Sequence, residues 1–397
     1  MPIEKYTDGE VIFIKNLKDE GLTWHEVTLK FNKKFKCERS FDSVKRAYYK
    51  YGDIGSIEDY SLNAVVTNLR NRRSKSLTAR ENKILAEAWT GREDILEAIQ
   101  NAIHGIKKTT KTPKKIKFSK QKSNMTLELI LSDVHVGKLT DHFNHDILQK
   151  RLDQITNTVL KEIERAKVHY NVEKIVLAFI GDLTEGAVIH GSESRRGCEF
   201  GDAKQVSESI RLFYSKIILP IALTGLQVDC VGITGNHDRM EERKTFFKPG
   251  EEHLTNITYH SLKLIGEAAG LKNVSWTIPT GTYLLKDMYG ETICYEHGDL
   301  LKGGDLRKGL ETQLAKRTKQ CNVPIHMLRI GHFHEPMDIG AGKLQINGSV
   351  PGGDSYSEIH GFNSEPSQTL NFYIKREKND SVKRRTCFFK RFVIQLE

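Results

Sequence analysis

Ile175-Val176-Leu177-Ala178-Phe179-Ile180 runs directly into Gly181-Asp182-Leu183-Thr184-Glu185. Six consecutive apolar residues stopped by a glycine read as a buried strand that presents Asp182 at its end. Four other stretches share this vocabulary of Asp, Asn or His beside glycine. They are Asp133-Val134-His135-Val136-Gly137, Gly235-Asn236-His237-Asp238, Glu296-His297-Gly298-Asp299 and Gly331-His332-Phe333-His334. All but the one at Glu296 directly follow a short apolar run. Strand ends that carry His and carboxylate groups are what a two-metal hydrolytic site requires.

Around these stretches, strands alternate with helices. Leu127–Leu131, Ile175–Ile180 and Val228–Ile233 read as strands, separated by helices over Asp146–His169, Asp202–Leu219 and Leu254–Gly270. After Pro279 the pattern turns strand-rich: Tyr283–Lys286, Thr292–Tyr295, Met327–Ile330, Leu344–Asn347, Leu370–Lys375 and Phe388–Ile394. The amphipathic helix Asp305–Gln320 interrupts that series. This order predicts an α/β catalytic domain over 125–397, with two packed mixed β-sheets flanked by helices.

The first third of the chain is different. Residues 8–51 read as three short helices, the first stopped by Gly21 and the second opened by a Thr23–Glu26 capping box. Ser40 is a second N-cap, before Phe41–Tyr51. In the first helix Ile12, Phe13 and Leu17 are apolar; in the last, Phe41, Val44, Ala47, Tyr48 and Tyr51 share one face, with Lys45, Arg46, Tyr49 and Lys50 on the other. The pattern resembles a helix-turn-helix of the Myb-like or phage-type DNA-binding class, which implies an all-α module over 1–52 with those four residues facing nucleic acid. Three-helix bundles also serve as protein-docking modules or scaffolds. Residues 53–106 read as a helical connector whose apolar stripe suits a dimerisation helix, giving a homodimer, or packing on the catalytic domain. Residues 107–124 read as a basic linker.

Charge divides along the same boundary. Residues 1–122 hold 26 Lys+Arg against 16 Asp+Glu, whereas the remaining 275 residues hold 35 of each. The whole net charge of +10 therefore lies before the first Asp-x-His motif. That asymmetry is the footprint expected of a module that meets a polyanion, DNA before RNA. A soluble basic surface without a partner has the same composition. No apolar run approaches the ~18 residues of a membrane span. Six scattered cysteines without a Cys-x-x-Cys pair read as reduced thiols, so the expected location is the cytoplasm, a host's cytoplasm if the chain is phage-encoded.

The five motifs, in this order, resemble the calcineurin-like metallophosphoesterase superfamily, whose pattern is D-x-H, G-D-x-x-(D/E), G-N-H-(D/E), H and G-H-x-H. The resemblance spans about residues 125–350. It implies one metal held by Asp133, His135, Asp182 and His334, and a second held by Asp182, Asn236, His297 and His332, with Asp182 bridging. Mixed imidazole and carboxylate ligation suits Mn²⁺ above all, with Fe or Zn²⁺ also served. It further implies that His237 meets the phosphate and protonates the leaving oxygen, while a hydroxide activated by the two metals attacks. Asp238 either orients the His237 ring or caps a loop. His142 and His145 are either phosphate contacts or surface residues; Arg195 and Arg196, in a glycine-rich loop, either hold nucleic acid or are solvated. The basic residues of Asp305–Gln320, among them Arg307 and Arg317, would form one wall of a substrate groove.

Asp-x-His-x-Gly and Gly-His-Phe-His-Glu-Pro are closest in style to the recombination-repair nuclease branch, although no ATPase-docking segment is recognisable at the C-terminus. Fusion to a helix-turn-helix resembles nuclease-like phosphoesterases of phages. The expected activity is a metal-dependent DNA phosphodiesterase. The alternatives are a phosphomonoesterase or small-molecule phosphodiesterase localised by the basic module, and an inactive DNA-binding regulator.

Overall fold

Thr7 and Thr23 open helices in the same way: each hydroxyl accepts the N–H three residues on, and Glu10 or Glu26 reaches back to the threonine N–H. These boxes satisfy N–H groups that the first helical turn leaves unpaired. The computed structural model describes residues 6–51, 116–189, 197–240, 252–301, 305–353, 364–376 and 386–397. The chain divides into two units, Met1–Leu85 and Ala86–Glu397. The expected connector and dimerisation helix, the start of the basic linker, Arg195, Arg196 and the side chain of Lys50 lie outside the described residues.

The first unit contains α1 (Asp8–Asp19), α2 (Trp24–Phe35) and α3 (Phe41–Tyr51). Its core is Ile14, Leu17, Val27, Phe31, Val44 and Ala47. Val11 and Ile14 are buried on α1, Phe13 packs partly buried against the core, and Phe41 is 41% exposed instead of joining it. Tyr49 projects to solvent at 70% exposure and Arg46 is exposed, whereas Lys45 is half-buried.

In the second unit, β1 (Asn124–Leu131), α4 (His145–His169) and β2 (Asn171–Ile180) are followed by α5 (Asp202–Leu212). A π-helical stretch, Phe213–Ile218, leads into α6 (Leu219–Ala222). Pro220 has no N–H for the Lys216 carbonyl one turn back, and the Thr156 hydroxyl donates to that carbonyl at 2.6 Å. Then come β3 (Gln227–Ile233), α7 (Leu254–Ala268), β4 (Val274–Thr277), β5 (Tyr283–Met288) and β6 (Glu291–Glu296). The chain continues through α8 (Leu306–Cys321), β7 (Met327–Ile330), β8 (Met337–Ile339), β9 (Leu344–Ile346), β10 (Ser367–Ile374) and β11 (Phe388–Gln395).

The strands make two mixed sheets, ordered β11-β10-β1-β2-β3-β4 and β5-β6-β7-β9-β8. β1, β2, β3 and β4 are parallel in that order, and β10 closes on β1 antiparallel, with Leu129 opposite Leu370. β2 explains why its run is continuously apolar. Ile175, Leu177 and Phe179 pack under the helices, while Val176, Ala178 and Ile180 pack between the sheets against Ile293, Tyr295 and Met327. Both faces are covered, so every residue must be apolar. The expected two-sheet α/β fold is the one observed. β4 and β8 were not expected: they are three or four residues long, sit at sheet edges and are only partly buried, so they carry little hydrophobic signal.

One charged network lies inside the sandwich. Glu128 of β1 and Arg329 of β7, both fully buried, meet at 3.2 Å. Tyr295, Tyr373 and Asn371 also donate to the Glu128 carboxylate. The end of the expected linker is tied to this unit: Lys122 donates to the Lys167 and Val168 carbonyls at 2.9 and 2.7 Å, and Ser119 N–H to Asn171 at 2.9 Å. Among the described residues no helix is long and apolar enough to cross a membrane. All six cysteines are free.

Candidate metal centre

The five motifs follow the C-terminal ends of β1, β2, β3, β6 and β7, on one edge of the two sheets. That edge is where open α/β sheets place ligands. Asp133, His135, Asp182, His332 and His334 all adopt positive φ, between 52° and 68°. An L-residue pays for that conformation, so its recurrence at five candidate ligands marks backbone held to place side chains. The holding bonds are visible. Val134 and His135 N–H both donate to the Asp182 carbonyl at 2.9 and 3.1 Å, and Val350 N–H to the Asp133 carbonyl at 3.0 Å.

Glycine is required at three of these turns by close approach. A Cβ on Gly235 would lie 2.1 Å from Asp182 Oδ1, one on Gly331 2.4 Å from Asp133 Oδ2, and one on Gly181 2.5 Å from His297 Nδ1.

Among the described residues, Asp133, His135 and His334 form a first triad whose ligand atoms lie within 4.8 Å of one another, and Asp182, His297 and His332 a second; His135, Glu185 and His237 meet the same distance. Each triad holds three of the four residues expected at one metal, with Asp182 grouped in the second triad and not in the first. In the first triad, His135 Nε2 and His334 Nε2 stand 3.3 Å apart, with Asp133 Oδ1 3.3 Å from His334 Nε2. In the second, His297 Nε2 is 2.9 Å from Asp182 Oδ2 and 3.1 Å from Asn236 Oδ1. His297 Nδ1 lies 2.9 Å from the Ile180 carbonyl, which can only accept, so Nδ1 carries a proton. The Nε2 lone pair of a neutral His297 would then face two oxygen acceptors. Such a converging set of acceptors fits a cation, and the residues present fit divalent metals. Asp182 belongs to the second triad by distance, and His135 of the first also acts on its charge.

The electrostatics without metal agree. Burial alone would raise both aspartates, but His334 and His297 hold Asp133 below its ordinary value, and His297 and His237 hold Asp182 well below. Burial works against a charged His297, and Asp182 outweighs it, so that imidazole stays protonated far above its usual range. A proton there occupies the position of positive charge. His332, pushed to about 4 by burial and His297, stays neutral.

Glu185 was quoted within its motif but given no role, and it proves central. Its Oε2 lies 2.7 Å from His135 Nδ1, and its Oε1 3.9 Å from Lys138 Nζ. A carboxylate this close to the far nitrogen favours the tautomer that turns Nε2 toward a metal, although the contact does not have the geometry of a hydrogen bond. The residue three positions after the motif aspartate was the available signal. His237 Nδ1 lies 2.8 Å from the Glu185 carbonyl, and the ring meets His135 edge-on at 4.7 Å.

Asp238 takes the loop-capping use of the two considered. Its Oδ2 accepts Asp182 N–H at 2.9 Å and Gly235 N–H at 2.8 Å; its Oδ1 accepts the Thr184 N–H and hydroxyl at 3.1 and 2.9 Å. It therefore locks the second motif to the third rather than orienting the His237 ring. Arg317 is likewise not a groove wall: it is buried, with Nη2 2.6 Å from Glu296, the residue before His297. Arg307 is exposed and pairs with Glu311. His145 pairs with Glu208 at 3.0 Å over Phe200, and His142 is exposed.

No protein-family model matches the chain. No curated protein matches it either. Solved structures overlap it weakly. Vps29 from Cryptosporidium parvum is 12% identical, covering 68% of this chain and 95% of that one at a TM-score of 0.30. Zn²⁺-complexed Vps29 from Entamoeba histolytica is 15% identical over 68% and 99%, at 0.27. A structure described as a novel archaeal phosphodiesterase is 13% identical over 67% and 99%, at 0.28. Overlap this low leaves the function to be read from the site itself.

Proposed function

We propose that the second unit is a metal-dependent phosphodiesterase of the calcineurin-like metallophosphoesterase type, acting on DNA that the N-terminal helices hold. The observation that carries this reading is the pair of His/Asp triads at the ends of parallel strands, each converging within 4.8 Å. Asp133, His135 and His334 would hold one divalent cation, and Asp182, Asn236, His297 and His332 the other, with Asp182 as the carboxylate between them. The donor set suits Mn²⁺. Two such cations supply Lewis-acid charge to a phosphate and lower the pKa of water for attack on phosphorus.

The chain's own residues do the rest. The Glu185 carboxylate beside His135 Nδ1 and the Ile180 carbonyl that His297 Nδ1 donates to favour the tautomers whose Nε2 atoms turn inward. Asp238 fixes the loops on which Asp182 and His237 stand. His237 has its Nδ1 committed to the Glu185 carbonyl, so it exchanges protons at Nε2, where it can serve a leaving oxygen. Lys45, Arg46, Tyr49 and Lys50 on α3 supply the polyanion contacts, with Tyr49 70% exposed beside Trp24 and Tyr48.

The test is Mn²⁺-dependent cleavage by the full chain across single-stranded, duplex and circular DNA, RNA and bis-p-nitrophenyl phosphate. DNA should be cut, His237→Ala should lose about 10²–10⁴-fold in rate while keeping DNA binding, and binding should weaken steeply with salt. Robust turnover of the small diester with no cleavage of any DNA would refute the substrate.

A further inference from the structure

The loop bearing Asn236, His237 and Asp238 continues into an arginine that the chemistry above leaves unused. Arg239 pairs through its backbone with His253 in an isolated antiparallel bridge, and Leu254 N–H donates to the Asp238 carbonyl at 2.7 Å. These contacts fasten the loop to the start of α7. Arg239 Nε donates to the Asn236 carbonyl at 2.8 Å. That bond fixes the guanidinium beside the residue whose side-chain oxygen stands 3.1 Å from His297 Nε2.

The other edge of the fork is unspent. Arg239 Nη1 is shut away from solvent without a hydrogen-bond partner, and so is His253 Nδ1. Among the described residues no carboxylate pairs with Arg239. Enclosed guanidinium donors ordinarily find an acceptor, so an acceptor belongs here. Burial and Arg239 push His253 down to about 4, which leaves Arg239 as the only positive charge of the pair; Asp299, Asp182 and His297 act on the same ring. The pair thus lies in the field of the second triad.

We propose that Arg239 is a phosphate-binding residue of this centre, its guanidinium taking a non-bridging oxygen of the substrate's phosphoryl group. The chemistry is specific, because a planar fork matches phosphoryl oxygens as an ammonium does not. This inference rests on the phosphoester reading of the site.

The experiment titrates inorganic phosphate into the Mn²⁺-loaded full chain by calorimetry, with metal content measured by elemental analysis. Arg239→Gln should raise the phosphate Kd about 10–100-fold, the size of a charge-assisted bond, and Arg239→Lys should fall between. Metal content should match wild type in both. Unchanged phosphate affinity overturns the inference. So does metal loss that accounts for the weaker binding, which would mean that Arg239 only holds the Asn236 loop. Should Arg239→Gln fail to fold, Arg239→Lys carries the same comparison. Wild-type protein that takes up no metal or no phosphate overturns the functional reading and the inference together. Wild-type protein that binds both and hydrolyses no ester refutes the activity alone, and the Arg239 comparison still decides.

Discussion

Glu185→Gln removes one charge and almost no volume from the contact that orients His135. The carboxylate Oε2 is 2.7 Å from His135 Nδ1, with the two side chains 11% and 0% exposed. Burial would raise Glu185, but Lys138 and His135 hold it at about 2, so it is ionised throughout the neutral range. An ionised acceptor keeps the proton on Nδ1 and leaves Nε2 open toward His334. A glutamine amide can turn its NH₂ to Nδ1 instead, which favours the tautomer with Nε2 protonated and closed to a metal. Loss of such a partner costs about 10–100-fold in metal affinity, or about 1.4–2.7 kcal/mol. Chelator-competition titration with Mn²⁺ should split into two phases, with the Asp133/His135/His334 site weakened and the Asp182/His297/His332 site unchanged. The pH dependence follows with its sign. The folded pKa lies below the ordinary glutamate value of 4.5, so the metal-free protein gains stability from Glu185 above about 4.5 and loses it as pH falls toward about 2. Glu185→Gln should flatten acid unfolding in that window. Two wild-type Mn²⁺ affinities in Glu185→Gln would refute the reasoning.

Asp238→Asn presents one acceptor oxygen where four donors now converge on two, so it should lose about 3 kcal/mol in urea unfolding. Gly235→Ala puts a Cβ 2.1 Å from Asp182 Oδ1 and 2.3 Å from its backbone N, so elemental analysis should find the Asp182 metal missing while far-ultraviolet circular dichroism stays native. Arg329→Ala leaves Glu128 between the sheets with its three neutral donors but no counter-charge, and should cost about 3–5 kcal/mol in chemical denaturation. The double variant Glu128→Gln/Arg329→Met should cost less than Arg329→Ala, because no unpaired charge is left inside.

The sheets were legible where a strand is covered on both faces. Every residue of Ile175–Ile180 must then be apolar, and the run announces itself. Edge strands such as Val274–Thr277 are half-exposed and leave no comparable trace. The candidate ligands were legible as short motifs, and the turns that carry them need glycine at fixed places. Asp238 and Arg317 could not be assigned from sequence: a carboxylate beside a histidine, or an arginine on an amphipathic helix, fits a site and a structural bond equally well. Only the backbone N–H groups around Asp238 and the buried Glu296 beside Arg317 separate the two.

By itself, then, the sequence determined which residue types stand at which strand ends, because local pattern specifies strands and turns. The tertiary structure decided which of those residues meet. Asp133 and His334 are 201 positions apart, and their contact at 3.3 Å depends on both sheets closing on one edge. It also decided the left-handed backbone at five ligands and the tautomers that Glu185 and the Ile180 carbonyl impose. Those depend on long-range contacts, and no local stretch of chain encodes them.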